Sequence, residues 1–162
     1  LESPDLRTWT RNVRRAIDMA RGRVWLIAHS FGCLDSVRAA ADRLDRIAGA
    51  MLVAPVDPFK FRAAGLLRVG PFPFPSVVVA SANDPWMRLT SAAYWSEQWG
   101  SRLLNLGVAG YINVDAGFGP WPEGLEIFRA LRAVAKDGQR IGDSTPATRH
   151  RAFHTRKYAK RN

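Results

Sequence analysis

The feature that most constrains this chain is an alternation. Val24-Trp25-Leu26-Ile27-Ala28, Ile47–Ala54, Ser76–Ala80 and Leu103–Val108 are short, nearly continuous apolar runs. A run of that kind fits a strand covered on both faces, as in a parallel sheet. The segments between them have a different period. In Asp5–Arg21 the residues Leu6, Trp9, Val13, Ala16, Ile17 and Ala20 recur at spacings of three and four. That spacing predicts an amphipathic helix, with Ser3 and Pro4 at its start and Gly22 as its stop. Cys33–Leu44, Leu89–Trp99 and Gly124–Ala135 read as further helices, and 59–75, rich in Phe, Pro and Gly, as irregular. Strand and helix alternate throughout, which predicts an α/β fold with a mainly parallel sheet. Strands are expected at 22–28, 48–54, 75–81 and 102–108.

The pattern stops at Lys136. The net charge of +10 is unevenly divided: residues 1–135 hold 16 Lys/Arg against 12 Asp/Glu, and 136–162 hold 8 against 2. Two regions are therefore expected, an α/β domain at 1–135 and a basic tail at 136–162 that is disordered in isolation. The tail could attract nucleic acid or an anionic surface through charge alone. A solvated tail is the preferred reading, and nucleic acid is not the expected partner. Cys33 is the single cysteine, so no internal disulfide can form. No apolar run approaches the roughly 18 residues of a membrane span, and no signal peptide is visible, so no membrane association and a cytoplasmic location are expected. There is no metal-ligand cluster, phosphate loop or dinucleotide fingerprint, so no cofactor is expected. The chain starts at Leu1, inside a helical pattern, and reads as a processed chain or a fragment. A protein partner and the oligomeric state are left open.

The chemistry centres on Ala28-His29-Ser30-Phe31-Gly32, which lies between a strand and a helix. A sharp turn there lifts a serine hydroxyl above the sheet edge, and small residues two positions either side let strand and helix pack closely. Ser30 is the candidate nucleophile of such an elbow. The Phe31 N–H, at the start of the next helix, is the candidate oxyanion donor. The plainer alternative is that Ser30 is only a helix N-cap. Asp84, in Ser81-Ala82-Asn83-Asp84-Pro85, lies at the C-terminal end of the third strand, where open α/β sheets gather their sites. It is the candidate acid, with Asp57 of Pro55-Val56-Asp57-Pro58 as the weaker one; Asn-Asp-Pro is also plain turn chemistry. A histidine is expected after the fourth strand, where the sequence reads Gly107-Val108-Ala109-Gly110-Tyr111-Ile112-Asn113. The histidines are elsewhere, at 29, 150 and 154. His29 adjoins Ser30 and is expected to point away from it.

Four segments together carry a family resemblance: Ala28–Cys33, Ala54–Pro58, Ser81–Pro85, and Gly110–Asn113 continuing to Gly119-Pro120-Trp121-Pro122-Glu123-Gly124. In order and spacing the chain resembles the small serine hydrolases related to retinoblastoma-binding protein nine, a compact branch of the α/β-hydrolase fold. The resemblance covers about residues 3–135. It implies a three-layer α/β-hydrolase-like fold whose first strand, together with a Gly-containing loop that helps build the oxyanion site, would precede Leu1. It also implies that Ser30 is the nucleophile, that Asp84 is the acid, and that Tyr111 stands where members carry the catalytic histidine.

Tyrosine replaces that base poorly, since roughly one free phenol in a thousand is ionised at pH 7. The expectation is a serine hydrolase of small esters or amides that is weak or inactive as the chain stands. The alternative is a non-catalytic binding protein on the same scaffold, with Phe72, Phe74, Trp86 and Trp121 as candidate pocket walls if they are not core.

Overall fold

A computed structural model describes residues 6–142, with side chains described as far as Lys136. Among the described residues four α-helices and four strands follow in the order α1 (Leu6–Met19), β1 (Val24–His29), α2 (Phe31–Ala40), β2 (Ile47–Val53), β3 (Ser76–Ala80), α3 (Leu89–Gln98), β4 (Arg102–Asn105) and α4 (Pro122–Gly142); the expected alternation fails between β2 and β3, which no α-helix separates. The strands form one sheet in the order β1-β2-β3-β4, and every pairing is parallel. The expected α/β architecture is the observed one.

Alternation along the strands sets the layers. Ala50, Leu52, Val78 and Ala80 face a core shared with Leu6 and Ile17 of α1, Leu34 and Val37 of α2, and Ala92 and Trp95 of α3. Their neighbours Met51, Val53, Val77 and Val79 face the other way, onto Ile127, Phe128 and Leu131 of α4. β2 and β3 are buried on both faces because helices cover both, as their continuous apolarity predicts.

β1 departs from that expectation. It forms one end of the sheet order, and Ile27 is 59% exposed. Phe128 of α4 meets Trp25 edge-on at 5.4 Å, but the cover does not extend to Ile27. β4 is shorter than expected: it ends at Asn105, and Val108 is 71% exposed in the loop beyond. α4 runs through the break expected at 135/136 and ends at Gly142. The rest of the basic tail, with His150 and His154, lies outside the described residues. No helix among the described residues is long and apolar enough to cross a membrane.

Candidate active site

The sheet delivers the site from three strand ends. Ser30 follows β1 with φ 60° and ψ −132°. Its N–H donates to the Val53 carbonyl of β2 at 3.0 Å, and its own carbonyl accepts from the Cys33 N–H at 3.0 Å. The turn is thus held from the neighbouring strand and from the first turn of α2. The Ser30 side chain makes no capping hydrogen bond. An N-cap has β-region backbone and a side-chain oxygen on the N2 or N3 amide; Ser30 has neither, so the plain cap reading fails. Phe31 opens α2, and a first-turn amide has no acceptor within its own helix.

Tyr111 arrives from the loop after β4. Gly107 and Gly110 there have φ of 74° and 58°, which suits glycine. The Asn83 side chain ties this loop to the loop after β3: its Oδ1 accepts from the Gly110 N–H at 2.7 Å and from the Ser81 hydroxyl at 2.8 Å. The tie carries Tyr111 across to β1, where its hydroxyl hydrogen-bonds the Ser30 hydroxyl. His29 holds the same residue by its backbone. Its Nε2–H donates to the Tyr111 carbonyl at 2.9 Å, a role assigned because the carbonyl can only accept. His29 is therefore engaged with the main chain of residue 111, and its ring lies 5.0 Å from the Tyr111 ring.

Asp84, in the loop after β3, has one oxygen partnered and one not. Its Oδ1 accepts from the Trp86 N–H at 2.8 Å, while its Oδ2 is buried with no hydrogen-bond partner. Burial holds the Asp84 carboxyl above the usual carboxylate range, opposed by the Trp86 and Met87 amides and by His29 and Lys60. Tyr111 is also held above the ordinary phenol value. Burial is the main cause, the Ser30 hydrogen bond opposes it, and the Asp84 charge adds to it. The structure thus makes this tyrosine a weaker source of phenolate than a free one.

Ser30 and Tyr111 meet through their hydroxyls, and Asp84 is near enough for its charge to bear on Tyr111. Asp57, the weaker acid candidate, is 6% exposed, and its Oδ1 accepts from the Phe59 N–H at 3.0 Å within its own turn. Of the two readings of the aromatics, core packing holds for most. Phe72 stacks on Phe74 and Trp99 in the core, and Trp121 packs on Phe118 and over Gly124. Of the four, Trp86 alone stands by Tyr111, with ring centroids 6.3 Å apart. The rings that do reach the site form a line that sequence reasoning missed. Trp9 meets Phe31, Phe31 meets Phe61, and Phe61 meets Trp86, with centroids 6.1, 5.7 and 6.2 Å apart. Trp9 reads in the sequence as a core position of α1 but is 47% exposed. Asn83 was also missed as a tether; its place beside Asp84 in a turn motif was the available signal. No group of side chains suited to a metal occurs among the described residues.

A family model described as serine hydrolase matches residues 1–130. No curated protein matches the sequence. Among solved structures, a protein described as a YdeN-like hydrolase from Pectobacterium atrosepticum is 38% identical, with a TM-score of 0.77 over 82% of this chain and 72% of that one. The ydeN gene product of B. subtilis is 19% identical, with a TM-score of 0.64 over 81% and 77% of the two chains. Est1E of Butyrivibrio proteoclasticus, solved with ferulic acid bound, is 14% identical, with a TM-score of 0.62 over 83% and 69%. The last two likenesses concern the fold alone.

Proposed function

Because this chain belongs to the serine hydrolase family, we propose that it is an esterase- or amidase-like α/β hydrolase with nucleophile Ser30 and acid Asp84, impaired because Tyr111 occupies the position of the base. The observation that carries the reading is Asp84, with one oxygen partnered and one not. A histidine at 111 would accept the serine proton on one ring nitrogen and offer the other N–H to a carboxylate. A tyrosine hydroxyl engaged with Ser30 offers nothing to that carboxylate, and Asp84 Oδ2 is left buried and unpartnered. In this reading the Phe31 N–H is the oxyanion donor. Within the family we place the chain nearest the branch related to retinoblastoma-binding protein nine, on the four motif segments given above.

The chemistry follows from proton affinity. A neutral phenol cannot take up a proton near neutral pH, and Tyr111 ionises less readily than a free tyrosine. Ser30 therefore attacks as an alcohol. Removing the base of a serine protease triad costs on the order of 10⁶ in turnover, and a loss of that order is expected here. The Tyr111 hydroxyl on Ser30 and the line of rings from Trp9 to Trp86 favour one further reading, a scaffold that binds a small ester or amide without turning it over.

The test uses p-nitrophenyl acetate and a fluorophosphonate probe. Wild type and Ser30→Ala should hydrolyse the ester at the same rate. Tyr111→His should raise the rate about 10²–10⁴-fold, the usual contribution of a positioned base, and Ser30→Ala in that background should abolish the gain. Wild-type labelling and turnover that both vanish in Ser30→Ala would show that another group activates the serine, and would end the proposal.

A further inference from the structure

Ser30 does not account for the arginines on α1. Arg7, Arg11 and Arg14 lie at i, i+4 and i+7, one stripe of that helix. Arg38 of α2 faces the stripe, and with Thr8 and Thr10 these residues line a groove of about 450 Å³ between the helices.

The carboxylates at the groove are accounted for in part. Asp42 accepts from Arg14 Nη2, and buried Asp35 accepts from the Thr10 hydroxyl at 3.0 Å. Two guanidinium N–H groups nonetheless stay buried with no acceptor, Arg14 Nε and Arg38 Nη1. They stand on the two walls of the same groove. Buried donors normally have partners, and here the missing partner is an acceptor with several lone pairs. Arginine's planar fork is matched by the oxygens of phosphate, and a phosphate can serve forks from two sides at once. The volume lies within the range of small-molecule pockets and exceeds what a bare ion needs.

We propose that the groove between α1 and α2 is a binding site for a small phosphate monoester, gripped by Arg14 and Arg38 with Arg11 at its edge. The site is separate from Ser30 and does not depend on whether Ser30 is active. Arg11 hydrogen-bonds Thr8 at 3.3 Å, which sets its guanidinium at the rim.

Phenyl phosphate is the probe, with ionic strength held constant by sodium chloride, and binding to the whole chain is read by calorimetry and by melting temperature. Saturable binding that raises the melting temperature is expected. Arg38→Gln and Arg14→Gln should each weaken it about tenfold or more. Arg11→Gln, at an exposed rim position, should weaken it less and serves if either of the others fails to fold. Arg129→Gln, on α4 at the opposite face, should leave it unchanged. An equal response to phenol or to sodium chloride, or full binding retained in the arginine variants, overturns the proposal. So does tight, salt-sensitive binding of a single-stranded oligonucleotide with none of phenyl phosphate, which would mark a polyanion surface.

Discussion

Ser30 holds a backbone that an L-residue avoids, at φ 60° and ψ −132°. Conformations of this kind cost roughly 1–3 kcal/mol and persist where the surroundings enforce them. Here the Val53 carbonyl and the first turn of α2 do so. Strain of this kind has a measurable consequence that is separate from chemistry. Ser30→Ala and Ser30→Gly both remove the hydroxyl, but only glycine relieves the backbone. Ser30→Gly should be about 1 kcal/mol more stable than Ser30→Ala in urea denaturation, despite glycine's greater entropy when unfolded. Equal stabilities would mean that the elbow is not under strain. Asp84 and Asp57 show how far single residues can be read. Both sit in Asp-Pro turns and both accept an amide two residues on. Their difference is that the second oxygen of Asp84 is buried without a partner.

Between β1 and β2 one residue decides whether two elements fit. Trp25 pairs with Gly49, beside a register shift at Val24/Trp25. A Cβ at Gly49 would overlap the Trp25 ring and stand 2.9 Å from the Pro75 carbonyl oxygen. Neither obstacle is a free side-chain end, since the ring is also held by Phe128 of α4. Gly49→Ala should therefore destabilise the protein by about 1–3 kcal/mol, the usual cost of overpacking, read as a lower urea midpoint with an unchanged slope. A neutral result would show that Trp25 can move, and with it the edge from which Ser30 is presented. Element ends were legible where a period broke, as at Gly22. They were misread at β4, which ends at Asn105 although Leu106 and Gly107 still bond the backbone of Ala80 and Ala82; Val108 lies in the loop that delivers Tyr111.

At the scale of the whole molecule, Cys33 reports on both layers around it. It is fully buried in the first turn of α2, its thiol donates to the Val53 carbonyl at 3.4 Å, and burial pushes the thiol far above its ordinary value. A buried, protonated thiol is inert toward alkylation. Iodoacetamide should leave Cys33 unmodified in native buffer over hours and modify it with the midpoint of global unfolding. Labelling well below that midpoint would mean that α2 lifts from the sheet on its own, taking the Ser30 turn with it. Among the described residues β1 stands at one end of the strand order, and Ile27 is exposed there.

The sequence by itself determined the period of each segment, and hence the α/β class, the parallel sheet and the strand-to-helix turn at Ser30, because apolar spacing and turn chemistry are local properties. It also placed Ser30, Asp84 and Tyr111 after the first, third and fourth strands, and a parallel sheet sends the ends of its strands to one edge. It did not determine that β1 is half-covered, that Phe72, Phe74 and Trp121 belong to the core, or that Trp9 and Phe61 line the approach to Trp86. A large apolar residue has the same chemistry in a core and at a site, and only its neighbours decide between them. The same holds for the unpartnered oxygen of Asp84 and the arginines facing each other across α1 and α2. An unsatisfied buried group is a property of the space around it, and that space exists only once distant segments have packed.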